Sequence, residues 1–252
     1  MTGSTITIPV GDEQIEAYLA TPAGAVRGGV IVIHEIWGMQ DHFRDIANRF
    51  ADLGYVAVAP DVLSHAGIDP AVGAELARLR FEAGEEERTR EQPRLREAFS
   101  ATRSPDYTTW AVRALRAVVD LLAATPGVDG RIAVTGYCFG GGLSFQLAAA
   151  DSRVRAALPY YGRAPEGAVL GAIEAPVLAF YGSLDEPLMA TLPQLEAAAA
   201  AAGVDFRAVV YDGARHAFFN DTNATTYDEP AASDSWRQSI DFLATRLGSP
   251  DG

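Results

Sequence analysis

Cys138 is the only cysteine in this chain, and glycines stand two residues to either side of it, in Gly136-Tyr137-Cys138-Phe139-Gly140-Gly141. An apolar run, 131–135, precedes this segment and a helical pattern, 139–150, follows it. Small residues at those two places let a strand turn sharply into a helix and leave the residue between them strained and exposed. The sulfur then lies near a helix N-terminus, whose dipole favours an anion. A lone cysteine is most often a small buried hydrophobe. The strand-turn-helix setting favours the other reading, a nucleophile.

A nucleophile on such an elbow needs an acid and then a base further along the chain. The run 176–181 leads into Gly182-Ser183-Leu184-Asp185-Glu186-Pro187, which puts a carboxylate in the loop after a strand. The run 206–211 leads into Asp212-Gly213-Ala214-Arg215-His216-Ala217-Phe218, which puts an imidazole in the turn beyond the last strand. Each has a plainer reading, Asp185 as a helix cap and His216 as a surface histidine, yet both fall in the required order and loops. Asp212, Asp228 and Glu186 are rival acids, ranked below Asp185. The expected catalytic set is therefore Cys138, His216 and Asp185: sulfur attacks a carbonyl, the imidazole moves protons, and the carboxylate fixes its tautomer.

These loops need a scaffold that delivers them to one edge. Continuous apolar runs at 30–33, 55–59, 131–135, 155–160, 176–181 and 206–211 suit strands covered on both faces. Helical patterns at 41–53, from Ser104-Pro105-Asp106 to Pro126-Gly127, at 139–150, from Thr191 to Ala202 and at 233–247 alternate with them. Thr191-Leu192-Pro193-Gln194 reads as a capping box. Segments 5–10 and 14–19 flank Gly11-Asp12 as an opening hairpin. Alternating strands and helices predict an α/β fold with a mostly parallel sheet and helices on both faces, in one domain over 1–252. No Gly-rich dinucleotide turn follows the first buried strand, where the chain reads His34-Glu35-Ile36-Trp37-Gly38. About forty residues, 63–103, separate a strand from its crossover helix and include the charge run Glu85-Glu86-Glu87-Arg88-Thr89-Arg90-Glu91. The plain reading is a solvated helical excursion; the functional one is a cap over the site.

Taken together, His34-Glu35-Ile36-Trp37-Gly38, Ala59-Pro60-Asp61, Gly136-Tyr137-Cys138-Phe139-Gly140-Gly141, Tyr160-Tyr161-Gly162, Tyr181-Gly182-Ser183-Leu184-Asp185 and His216-Ala217-Phe218-Phe219-Asn220 resemble the dienelactone hydrolase (carboxymethylenebutenolidase) family. The resemblance runs over residues 5–247. It implies an α/β-hydrolase with a Cys–His–Asp triad, here Cys138, His216 and Asp185. It also implies breakdown of aromatic compounds as the setting. Glu35 matches the glutamate that holds the resting thiol in those enzymes, and Ile36 falls where the family places one oxyanion amide, beside that of Phe139. One position departs. Where the founding enzymes carry an arginine four residues after the histidine, to grip the substrate carboxylate, this chain has Asn220. Arg78 and Arg80 are candidate substitutes.

Glu35 also has a case from the residues alone. A carboxylate straight after a buried strand, near Cys138, repels a thiolate and accepts from S–H, keeping the thiol neutral and protected from oxidation. The plainer reading pairs Glu35 with an arginine. Trp37, Tyr137, Phe139 and Tyr160 surround the same rim and are expected, with Asn220 and Arg80, to line a substrate pocket, though Tyr160 and Phe139 suit core packing equally.

Composition narrows the partners. The chain has 252 residues and a net charge of −13, which disfavours nucleic acid and anionic membranes. All 20 basic residues are arginine, so a Walker A lysine and a lysine Schiff base are excluded. One cysteine and four dispersed histidines (His34, His42, His65, His216) leave no metal cluster, and no cofactor is implied. No leader is visible in Met1–Val10 and no apolar run approaches the ~20 residues that span a bilayer. A cytoplasmic monomer or weak dimer with a free thiol is expected, hydrolysing a lactone or small ester. The rivals are a carboxylesterase without lactone preference, and a non-catalytic binder or redox-sensing thiol.

Overall fold

The computed structural model describes residues 3–248; Met1, Thr2 and residues 249–252 lie outside the described residues, including the first two of the opening segment read above. Among the described residues eight strands form one sheet: β1 (Ser4–Val10), β2 (Glu13–Ala20), β3 (Gly28–Ile33), β4 (Tyr55–Pro60), β5 (Ile132–Tyr137), β6 (Val154–Tyr160), β7 (Val177–Gly182) and β8 (Phe206–Tyr211). Their order across the sheet is β1-β2-β4-β3-β5-β6-β7-β8. The expected hairpin is present, with Val10 opposite Glu13, and β2 runs antiparallel to β4. Every other pairing is parallel. Each residue of β3, β4, β5 and β7 is buried, as their unbroken apolar runs require of strands with both faces covered.

The described residues also form nine α-helices: α1 (Asp41–Asp52), α2 (Pro70–Phe81), α3 (Glu85–Ala98), α4 (Pro105–Ala123), α5 (Phe139–Ala150), α6 (Gly167–Gly171), α7 (Glu186–Met189), α8 (Leu192–Ala202) and α9 (Glu229–Leu247). On one face of the sheet α1 packs Phe43, Ile46 and Phe50, and α9 packs Leu243 and Leu247. On the other face α4 packs Trp110, Leu115, Val118 and Leu122, with Leu143 and Leu147 of α5 beside them. Both stripes follow the three-to-four-residue spacing of a helix with one apolar side.

The chain goes from β3 to β4 through α1 on one face, and from β5 to β6 through α5 on the other. It therefore leaves the neighbours β3 and β5 in opposite directions, and a crevice opens beyond their carboxyl ends. Ile33 pairs with Gly136 there, so the His34–Gly38 segment and Cys138 emerge side by side.

Two local expectations need correction. Thr191 does not cap α8 through its side chain; its hydroxyl donates to the Leu188 carbonyl (3.0 Å). The last helix starts at Glu229 rather than 233, because Asp228 caps it by accepting from the Ala231 N–H (3.1 Å). Residues 63–103 fold mainly as α2 and α3: Leu76 and Leu79 enter the core, while Phe81 and Phe99 pack edge-on to Trp37, with ring centroids 5.3 and 5.5 Å away. The expected cap at Ser104 is present, accepting from Tyr107 N–H at 3.0 Å.

Candidate active site

Cys138 sits between β5 and α5 with φ 55° and ψ −111°. A side chain at positive φ in a non-glycine residue costs about 1–3 kcal/mol and persists only where the surroundings enforce it. They do so here. Cys138 N–H donates to the Tyr160 carbonyl (3.0 Å) and its carbonyl accepts from Gly142 N–H (3.1 Å). A Cβ on Gly136 would fall on the Gly140 carbonyl, and a Cβ on Gly140 would fall on the Ile33 carbonyl. Both glycines are therefore steric necessities of the turn. Phe139 opens α5, and the first N–H groups of a helix have no intrahelical acceptor. Ile36, half-buried in the loop after β3, donates its N–H to no backbone carbonyl among the described residues.

That loop is pinned by His34, which is completely buried. Its Nδ1 donates to the Glu35 carbonyl (2.8 Å) and its Nε2 accepts from Val62 N–H (3.2 Å). Only a neutral imidazole makes both bonds, and burial pushes its pKa down, against the nearby Asp61. The histidine thus ties the end of β3 to the segment after β4.

His216 Nδ1 donates to Asp185 Oδ2 at 2.5 Å. Asp185 is buried and its side chain makes no helix-capping bond, so the plainer reading of it does not hold. The rival acids are engaged elsewhere: Asp212 accepts from the Ser183 hydroxyl (3.2 Å), and Asp228 caps α9. With Nδ1 turned to the carboxylate, Nε2 is left for the thiol. Burial is the largest single influence on His216 and pulls its pKa down. The Asp185 hydrogen bond and then the adjoining Cys138 outweigh it, and the imidazole is pushed up to about 10. Cys138, Phe139, Tyr161, Asp185 and His216 line one open cleft of about 640 Å³, a size suited to a small ligand.

Glu35 is 2% exposed and has no arginine partner among the described residues. The Tyr161 hydroxyl donates to its Oε1 (3.2 Å) and Asn220 Nδ2 donates to its Oε2 (3.1 Å). Burial pushes its pKa up, while Asn220, the His216 charge and Tyr161 pull the other way. No hydrogen bond joins it to Cys138 among the described residues.

The expected pocket is corrected at five positions. Tyr137 and Tyr160 are fully buried in an aromatic stack (centroids 4.7 Å apart) and do not face the cleft. Trp37 is spent against Phe81 and Phe99. Asn220 is committed to Glu35, and its Oδ1 accepts from the Thr222 hydroxyl (2.6 Å). Arg80 is exposed on α2, lying over Phe81, because the buried stripe of that helix runs through Gly73, Leu76 and Leu79. Arg78, flanking the same stripe, pairs with Glu75 and Glu87.

Tyr161 and Arg163 are among the cleft residues that the sequence reading does not single out. Tyr161 follows the strand, at φ 39°, and its ring lies 5.1 Å from that of His216. Its signal was present in the Tyr160-Tyr161 pair: the last strand residue packs inward and the next leaves the sheet. Arg163 is the cation that the cleft presents; it is exposed and forms no ion pair among the described residues. No feature of the sequence marked it.

The dienelactone hydrolase family model matches residues 15–247. A provisionally named carboxymethylenebutenolidase of Saccharolobus solfataricus is 32% identical, aligned over 91% of this chain and 93% of its own. Another, of Methylorubrum extorquens, is also 32% identical, over 94% of this chain and 79% of its own. Among solved structures, a provisionally named dienelactone hydrolase of Klebsiella pneumoniae superposes with a TM-score of 0.80 at 28% identity, covering 96% of this chain and 98% of that one. A dienelactone hydrolase-like promiscuous phosphotriesterase from metagenomic libraries superposes at 0.76 with 25% identity, over 98% and 99%.

Proposed function

The chain belongs to the dienelactone hydrolase family, with the α/β-hydrolase fold and the ester-hydrolase activity of that family, and we propose that it cleaves a lactone or small carboxylic ester through Cys138. The supporting observation is the 2.5 Å Asp185–His216 bond beside a cysteine on a strained turn. In this reading the Cys138 sulfur adds to the substrate carbonyl carbon while His216 Nε2 holds the thiol proton. The carbonyl oxygen becomes an oxyanion held by the N–H groups of Phe139 and Ile36, each worth about 10²–10³ in rate. The intermediate collapses, the C–O bond breaks, and the leaving alkoxide takes the proton from His216. Water, deprotonated by His216, then adds to the thioester and releases the acid and the thiol. Asp185 holds the tautomer throughout.

Glu35, buried between Tyr161 and Asn220, takes the role the resemblance implies and holds the resting thiol until substrate arrives. With Asn220 committed to Glu35, no arginine stands four residues beyond His216, which favours a broad range of uncharged esters and lactones over a strict preference for an acidic dienelactone. The test is turnover of p-nitrophenyl acetate during titration with iodoacetamide, alongside Cys138→Ala. Activity should fall in step with alkylation of Cys138, and the variant should lose orders of magnitude while remaining folded. A variant retaining more than about a tenth of the wild-type kcat sinks the proposal.

A further inference from the structure

Adjoining the cleft is a second, half-open space of about 200 Å³, bordered by α6, α7, α8 and the end of β7. Leu170, Leu188, Leu192 and Leu195 line it with Tyr181 beside them, and half-buried Thr191 and exposed Gln194 border it as well. The Tyr181 hydroxyl is satisfied internally, donating to the Gly162 carbonyl (3.4 Å). Arg163 and Glu166, the charged residues at its edge, are exposed. The space meets the Cys138 cleft at Arg163, Ala164, Pro165 and Leu188, each of which borders both.

A space of this size, lined largely by apolar side chains and sharing walls with the cleft that holds the thiol and imidazole, is room for a guest. Its chemistry selects one kind. The buried leucines Leu170 and Leu192 offer no partner to a polar group, and a polar arm would forfeit its hydration there. We propose that the chamber binds an unbranched aliphatic arm of the ester substrate, so that the enzyme prefers medium-chain esters to acetates. This deepens the reading of Cys138 as the nucleophile of an ester hydrolase and rests on it.

Burial of a methylene is worth about 0.8 kcal/mol, which is about fourfold in kcat/KM for each carbon the chamber accepts. The arm can be the acyl or the alkoxy side of the ester, and two substrate series separate them: p-nitrophenyl esters from acetate to decanoate, and n-alkyl acetates from methyl to octyl. In one series kcat/KM should climb about fourfold per methylene and then level off once the chamber is full. Leu195→Trp fills the chamber from α8. Ala198→Trp does so from an exposed position of the same helix, where folding is not at risk. Either should lower the octanoate-to-acetate ratio, or its alkoxy equivalent, by tenfold or more, and a ratio within one enzyme cancels any change common to both substrates. Flat profiles in both series overturn the chamber proposal, as does a climb that neither tryptophan shortens. Iodoacetamide separates the two levels of failure. Flat but thiol-sensitive turnover removes the chamber alone, whereas turnover that survives alkylation of Cys138 removes the cysteine mechanism and the chamber with it.

Discussion

Replacing Glu35 by glutamine should make the protein more stable and its thiol more reactive. The carboxylate is buried, and its two partners are neutral donors, Tyr161 and Asn220. Hydrogen bonds to a charged group contribute about 1.5–3 kcal/mol each and neutral ones about 0.5–1.5, so the exchange sacrifices about 2–3 kcal/mol over both. Removing a buried charge recovers several kcal/mol of desolvation. The amide keeps the geometry, with its oxygen to Asn220 and its nitrogen to the Tyr161 hydroxyl. The net gain is about 1–3 kcal/mol, or about 2–10 °C in Tm for a chain of this size. The pH dependence has a definite sign. Burial raises the native pKa of Glu35 above its unfolded value, so as pH falls the native state takes up this proton before the unfolded state does. The wild-type penalty therefore shrinks as pH drops through the raised native pKa and is gone below the ordinary value near 4.5. The variant's advantage should grow as pH rises through the raised native pKa and be absent at pH 4, in thermal unfolding followed by circular dichroism. The same variant should be alkylated faster at rest, since a like charge near the thiol is gone. An unchanged or lower Tm at pH 7, together with unchanged alkylation, would refute the view of Glu35 as a buried charge kept for its effect on the thiol.

Three further substitutions probe the frame around it. Asp185→Asn should lower the His216 pKa from about 10, seen by NMR titration of the ring. It should also reduce kcat by orders of magnitude, since the analogous change in the serine triad costs about 10⁴. Because the His216 pKa is raised, the stability it gains from Asp185 is present below about 6.5 and is lost as pH rises through about 10, so the variant should be most destabilised at acid pH. Gly140→Ala drives a methyl group into the Ile33 carbonyl and should cost about 1–3 kcal/mol in chemical denaturation with a matching fall in kcat. Arg163→Gln should reduce kcat/KM for a carboxylate-bearing lactone relative to its methyl ester by no more than about fivefold, because an exposed cation contributes only about 0.2–1 kcal/mol.

What the sequence disclosed depended on whether its signal was local. The elbow, the order of strands and helices, and the loops carrying Asp185 and His216 all follow from patterns within a few residues, and all lie where the spacing put them. The pocket did not follow, because a wall is assembled from residues distant in the chain. Tyr137 and Tyr160 looked like rim aromatics, yet the sheet has both faces covered and the last strand residues pack inward. Trp37 was aimed at substrate, and the packing of Phe81 and Phe99 from the excursion claims it instead. Asn220 looked like an empty substrate contact; only the buried carboxylate facing it reveals its partner. Arg163 carries no motif, and its place in the cleft comes from the path of the chain after β6.

The most direct measurement is capture of the covalent intermediate. The protein is mixed with p-nitrophenyl acetate, quenched in acid during the burst of p-nitrophenol, and digested for mass spectrometry. The account predicts one acetyl group on the peptide carrying Cys138, as a thioester that hydroxylamine removes. Thioester accumulation should rise in Asp185→Asn, where His216 is a poorer base for the attacking water. Acetyl on a different residue, or full turnover with Cys138 unmodified at every quench time, would contradict it.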